Sequence, residues 1–251
     1  MRKYVTSYGT EGYYESLDIL GESAIKIGGA DEFVKYTYDD LKDSAFFIEN
    51  KSIMLRPNPC KDKAKSAHYW IYKPYIILET MKRCKDGDIV FYLDAGIKVI
   101  NNLDPLFEIT ETDKCMTFSI SRTEALHNHS MYTKRDCFVL MGLDDPFFWN
   151  TRMVHAAFSI WMKNEINISF LTEWQNYMTD PRIVTDDENT CGYPNLFDFK
   201  YHLFDQSVFS LLCTKYYKRV YRDPSQYSIK EDFLNSPYDQ LIIQHNVHLY
   251  T

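Results

Sequence analysis

Along this chain the spacing of apolar positions switches between a period of two and a period near 3.6, and those switches predict its elements. Residues 3–7 read as a first strand, and residues 11–27 as an amphipathic helix ended by Gly28 and Gly29. Residues 33–38 read as a second strand. A helix is expected over 70–84, with Ile71, Tyr75 and Leu78 along one face. The turn Asp86-Gly87-Asp88 then opens a continuous apolar run over 89–93, the pattern of a strand buried on both faces. Further strands are expected over 115–120 and 154–162, helices over 164–178 and 205–217, and a last short strand over 241–244. Strands interleaved with helices predict an α/β sandwich around a mostly parallel central sheet. Residues 51–65, with two prolines and many charges, should form a surface loop. The stretch 180–199, rich in Pro, Asp and Asn, is a long connection of the kind that often covers a site. No linker-like segment divides the chain, so one domain over 1–251 is expected.

Composition narrows the function classes. The chain has 251 residues, 45% of them hydrophobic, enough for one large core. Its 20 tyrosines and 16 phenylalanines either fill that core or line a carbohydrate site, since a tyrosine ring offers an apolar face and a polar tip. A formal net charge of −7 argues against a nucleic-acid backbone as ligand. One nucleotide, which needs only a few donors, stays open. The six cysteines (Cys60, Cys84, Cys115, Cys137, Cys191 and Cys213) are scattered without a C-x-x-C pair, as reduced thiols would be. The polar stretch 1–12 holds no signal-peptide core. No apolar run approaches the ~20 residues of a membrane span. A cytoplasmic protein without a membrane partner is expected, in which the sequons at Asn50, Asn128 and Asn167 carry no meaning.

Three segments carry candidate chemistry. In Gly87-Asp-Ile-Val-Phe-Tyr-Leu-Asp94-Ala95-Gly96 a buried strand ends in an aspartate and two small residues. Ligands of open α/β sheets gather at the carboxyl ends of strands, and small residues let a ligand approach the backbone. Asp94 there can bind a divalent cation bridging a diphosphate, or the segment is simply a strand-ending turn. In Trp70-Ile-Tyr-Lys73-Pro-Tyr75, Lys73 lies near a helix N-terminus, where anions are favoured. It contacts a diphosphate, or it is a solvated lysine beside buried rings. In His202-Leu-Phe-Asp205-Gln-Ser207, Asp205 is by spacing alone better read as an N-cap than as a general base. His245 and His248 follow the last strand without special metal geometry. Gly9 and Gly12 lack dinucleotide-loop spacing, and no G-x-S-x-G elbow is present.

Together the strings W-x-x-K-P-Y (70–75), G-D-I-V-F-Y-L-D-A-G (87–96), Y-T-K-R-D (132–136) and H-x-x-D-Q-S-V-F-S-L-L (202–212) resemble GT-A-fold glycosyltransferases. The similarity is to a subgroup found in bacteria and in large DNA viruses of algae and protists, and it runs from about residue 3 to residue 215. Some viral members decorate capsid glycans, one of them as a xylosyltransferase. The resemblance implies a Rossmann-like α/β/α sandwich, with a donor half over about 1–120 and an acceptor half over about 121–251. It places Thr6, Ser7 and Tyr8 beside the base and ribose of a UDP-sugar. Lys73, Asp94, Ala95 and Gly96 are then at the diphosphate. Asp94 stands for the first aspartate of the family's D-x-D motif, whose second is here Gly96. A bound Mn2+ or Mg2+ would therefore rest on Asp94 with a C-terminal histidine, His245 before His248.

Asp205 falls where many members place an acidic residue facing the acceptor, which makes it the expected general base of an inverting transfer, with Asp136 in reserve. If the source is viral, the reaction runs in host cytoplasm. A rival class is a nucleotide- or glycan-binding module that kept the fold without catalysis, favoured by the missing second aspartate. A second rival is a SAM-dependent methyltransferase, resting on Gly9 and Gly12.

Overall fold

The computed structural model describes residues 1–56, 68–120, 127–228 and 236–244. Its strands are β1 (Lys3–Gly9), β2 (Glu32–Thr37), β3 (Ile89–Leu93), β4 (Ile97–Val99), β5 (Cys115–Ser119), β6 (Val154–Met162), β7 (Val220–Tyr221) and β8 (Ile242–Gln244). Six of them form one sheet in the order β2-β1-β3-β6-β5-β7, and β4 pairs with β8 in a separate antiparallel ladder. β1 is parallel to both neighbours, with Tyr4 opposite Glu32 on one side and Val90 on the other. β6 runs against β3 and β5, with Leu93 opposite Phe158, while β5 and β7 are parallel. Five strands thus share a direction and β6 alone is reversed, so the expected mostly parallel sheet is present.

The long helices are α1 (Tyr14–Lys26), α5 (Tyr72–Arg83), α6 (Asp104–Asp113), α10 (Glu165–Met178) and α12 (Phe204–Lys215). Shorter ones are α2 (Tyr38–Leu41), α3 (Ala45–Glu49), α4 (Lys51–Met54), α7 (His129–Tyr132), α8 (Arg135–Leu140), α9 (Pro146–Trp149) and α11 (Pro181–Val184). The pleat of β3 divides the interior between them. Ile89, Phe91 and Leu93 join a core with Leu20 of α1 and with Leu106 and Phe107 of α6. Val90 and Tyr92 join the opposite core with Ile76 of α5, Trp174 of α10 and Phe209 of α12. All five β3 side chains are fully buried, which is why the strand reads as an unbroken apolar run. Burying each of the aliphatic and phenylalanine side chains stabilises the fold by about 1.5–3 kcal/mol.

Departures from the expected elements have local causes. Residues 51–54 form α4 rather than loop because Ile53 and Met54 are buried; the remainder of that expected loop lies largely outside the described residues. The helix expected from residue 70 begins at Tyr72, because His68, Tyr69 and Trp70 form a 3-10 turn with φ of 50, 52 and 55°. Among the described residues no helix is long and apolar enough to cross a membrane. Five cysteines there are free thiols, and Cys60 lies outside.

The end of α1 is tightly fitted. Gly28 N–H donates to Ser23 O at 3.0 Å, and Leu103 N–H donates to Gly28 O at 3.1 Å. A Cβ at Gly28 would stand 2.7 Å from Ala24 O and 2.9 Å from Leu103 Cδ1. Gly28→Ala is therefore expected to cost about 1–3 kcal/mol through overpacking. Urea unfolding would read this as a lower midpoint at unchanged slope, and an unchanged midpoint would show that the contact relaxes freely.

Candidate active site

Strand parity decides where the site forms. Tyr92 faces the α5 and α12 side of the sheet, so Asp94, two residues further on, continues toward the same side. There α5 delivers Lys73 and α12 delivers Asp205. Lys73 Nζ lies 2.7 Å from Asp205 Oδ2 and 3.2 Å from Asp94 Oδ1, and it donates to Ala156 O of β6 at 3.0 Å. Three candidate residues from distant segments thus meet at the carboxyl end of β3. The partners come from both sides of the division expected near residue 120, because β6 inserts between β3 and β5.

Lys73 is only 2% exposed; its ammonium donates one hydrogen bond to Ala156 O and lies within ion-pair distance of Asp205 and Asp94. Burial opposes its charge, but Asp205 and Asp94 outweigh burial, so its pKa stands above the ordinary lysine value. Lys73 is therefore not a solvated surface lysine. Lys73 acts by holding two carboxylates together. Burial raises Asp205 to about 6 against the pull of Lys73.

Asp205 is not the N-cap of α12. That position is Leu203, whose N–H donates to Ser207 Oγ at 3.2 Å, while Ser207 in turn donates to Tyr132 O at 2.7 Å. Asp205 is left free to turn inward from the first turn. Phe204, at φ 48°, packs on the left-handed turn before α5, with ring centroids 6.0 Å from Trp70 and 5.2 Å from Tyr69. These four left-handed residues join the N-terminal ends of α5 and α12. Backbone strain of this kind collects at functional sites.

Asp94 is the open member. Its side chain is 32% exposed. Oδ1 accepts from Tyr92 OH at 2.5 Å and faces Lys73, while Oδ2 has no hydrogen bond from another described residue. Asp94, Ala95 and Gly96 form a turn closed by Ile97 N–H donating to Asp94 O at 3.0 Å, so the turn and the candidate site are the same feature. Ala95 is buried beside it.

The remaining candidates with described positions are buried. Thr6 and Ser7 are fully buried, and Thr6 Oγ1 donates to Val34 O at 3.1 Å, so their side chains pack within the sandwich rather than along an open wall. The cause is β1's position between two paired strands. Tyr8 packs at a tilt against Tyr72, with ring centroids 4.1 Å apart and planes at 40°, and its hydroxyl lies 3.0 Å from His68 Nε2. Asp136 is fully buried away from the Lys73 contacts and accepts from Thr190 N–H, Thr190 Oγ1 and Cys191 N–H at 2.7–3.0 Å. Burial pushes its carboxyl up, but hydrogen bonds from Cys191 and Thr190 outweigh that and hold it below the ordinary value. It pins the 180–199 connection in place.

His245 and His248 lie outside the described residues. Among those described, no group of three or more His, Cys, Asp or Glu could hold a metal ion. The described residues thus offer a metal one open carboxylate oxygen, Asp94 Oδ2, beside a glycine where a second aspartate would stand. That set does not by itself make a metal site. Tyr92 and Ala156 were missed as site residues. Tyr92 was legible from its i−2 spacing to Asp94 on a strand, whereas the Ala156 carbonyl carries no sequence signal.

No family model matches the chain, and no curated protein matches its sequence. Solved structures do match its fold. The apo crystal structure of mouse xyloside xylosyltransferase 1 matches at TM-score 0.50 and 10% identity, over 99% of this chain and 99% of that one. The apo structure of the bifunctional glycosyltransferase WbbM matches at TM-score 0.50 and 12% identity, over 98% of this chain and 46% of that one, so this chain spans less than half of it. A glycosyltransferase involved in glycosylation of the PBCV-1 major capsid matches at TM-score 0.48 and 11% identity, covering 97% and 93% of the two chains. The α/β architecture of this chain is therefore the fold found in glycosyltransferases.

Proposed function

We propose that this chain is a nucleotide-sugar-dependent glycosyltransferase, moving a sugar from a UDP-sugar onto a glycan acceptor with inversion. The observation that carries the reading is the meeting of Lys73, Asp94 and Asp205 at the carboxyl end of β3, with Asp94 Oδ2 left open. As nucleoside diphosphate leaves, the anomeric carbon becomes oxocarbenium-like, and an acceptor hydroxyl must lose its proton as it attacks. Asp205, raised to about 6 by burial, has a proton affinity matched to that task near neutral pH. Lys73 fixes its position, and Tyr92 orients Asp94 toward the donor. Asp136 serves as a structural anchor of the acceptor-side connection.

UDP-xylose is the first donor to test, followed by UDP-glucose and UDP-galactose. Five free thiols fit the reducing cytoplasm as its setting. A second reading, a nucleotide- or glycan-binding module, is favoured by the 5% exposure of Asp205 and by Gly96 in place of an aspartate. Release of UDP from donor, with and without acceptor, separates the two. Asp205→Asn should keep donor binding and lower turnover at least ~100-fold, the low end for a lost general base. Near-normal turnover in that variant removes Asp205 from the mechanism. Asp94→Asn should weaken UDP binding, and an unchanged titration would end its role as a ligand.

A further inference from the structure

Helix α5 has two faces of different use. Lys73 and Tyr75 are separated by about 200° around the helix, so Tyr75 points away from the transfer centre. Beyond it, α3, α5 and α10 wall a groove of about 610 Å3, within the ~300–1,000 Å3 usual for small-ligand sites. Phe46 and Tyr75 form one wall, stacked with centroids 4.3 Å apart and planes within 8°. Phe46 is buried, and Tyr75 is half-buried beside the opening.

The polar groups lining the groove are largely uncommitted. The hydroxyl of Tyr75 and the side-chain amides of Gln175 and Asn176 make no hydrogen bond to another described residue. Buried Asn50 donates from Nδ2 to Phe46 O at 2.8 Å, which leaves its Oδ1 unused. The charged groups, by contrast, cancel. Glu79 is paired with Lys82, Lys163 Nζ donates to Cys84 O at 2.7 Å, and Glu49 is the second acid, so two acids face two bases. By count the lining carries no net charge that would favour an anion or a cation. Neutral donors and acceptors around an aromatic wall match a ligand with apolar ring faces and many hydroxyls.

We propose that this groove binds a neutral oligosaccharide, at a site separate from the transfer centre. The proposal goes beyond the transferase reading and does not need it. A glycan held there would stay tethered to the protein while another part of it is engaged elsewhere, raising its effective concentration.

The test uses the full 15N-labelled chain, titrated separately with maltohexaose, xylohexaose and mannohexaose, with an oligogalacturonate of the same length as the charged comparison. At least one neutral hexasaccharide should shift the side-chain amide signals of Gln175 and Asn176, with millimolar affinity and more tightly than the oligogalacturonate. The double variant Gln175→Ala/Asn176→Ala, at two polar sites on the outer face of α10, should weaken that binding about tenfold. The proposal is overturned if no neutral hexasaccharide moves either amide, if the charged oligomer binds as tightly, or if the double variant binds like wild type. UDP added to the same sample reports on the surroundings of Asp94, so the failure of one site is distinguishable from the failure of the other.

Discussion

Replacing Lys73 by methionine is expected to lower stability by about 3–5 kcal/mol, because the change leaves a buried carboxylate without its cation. Asp205 is 5% exposed and cannot turn to water, whereas Asp94, with a third of its side chain open, can. The cost should therefore fall mainly on Asp205. Asp205→Asn in the Lys73→Met background should recover much of the loss, since removing both partners of a buried pair costs less than removing one. Urea unfolding of the two single variants and the double variant measures this directly. A Lys73→Met protein as stable as wild type would mean that the ammonium does not hold the cluster together. Equal additive losses would mean that Lys73 and Asp205 do not interact.

Acidification should destabilise the fold through two buried histidines. His129 is fully buried between Thr133 Oγ1 at 3.1 Å and Ser210 Oγ at 3.0 Å, and burial lowers its pKa to about 3. His202 accepts from Lys134 N–H at 3.2 Å on Nδ1, which assigns its proton to Nε2, 2.9 Å from Ile183 O. Burial first, and then the Lys134 charge, lower it to about 3 as well. In the unfolded chain both protonate near 6.5, so the stability they carry is complete above that pH and is lost as pH falls toward 3. At pH 4.5 this amounts to about 2–3 kcal/mol for each ring. Asp205 acts in the opposite sense: its folded value of about 6 exceeds the unfolded one, so its protonation returns about 2 kcal/mol at the same pH. The depressed carboxyl of Asp136 adds to the loss at lower pH still. The expected net change between pH 7 and pH 4.5 is a loss of about 3 kcal/mol. Equal or greater stability at pH 4.5, by the same urea measurement, would contradict it.

Those histidines and the Lys73 cluster show which kinds of feature the amino-acid pattern carries. β3 was legible because a strand buried on both faces must be apolar throughout, and α10 because its stripe keeps the helical period from Asn164 onward. Helix α6 escaped notice although Pro105 at its start is a standard signal, since the segment has few apolar positions to mark its face. The reversed direction of β6 has no local signature, because an apolar strand reads alike in a parallel or an antiparallel ladder. In the site, Asp94 and Lys73 were candidates from strand end and helix start, while Asp205 read from spacing as an N-cap and entered only through the family resemblance. The convergence of the three was not legible. It depends on the left-handed turn at 68–70 and on Phe204, four non-glycine positions where nothing in the residue types announces a positive φ. The first strand was legible over 3–7 and runs over Lys3–Gly9, but its central place between two parallel neighbours, which buries Thr6 and Ser7, has no local signal.

The Asp94 end of β3 is expected to receive a uridine nucleotide. Calorimetric titration of the purified protein with UDP, in the presence and absence of Mn2+ and against GDP and SAM, tests it. Selective binding of UDP, weakened by Asp94→Asn, is the predicted result. Binding of GDP or SAM in preference to UDP, or of no nucleotide at all, would contradict the donor site that the reading assigns to Asp94.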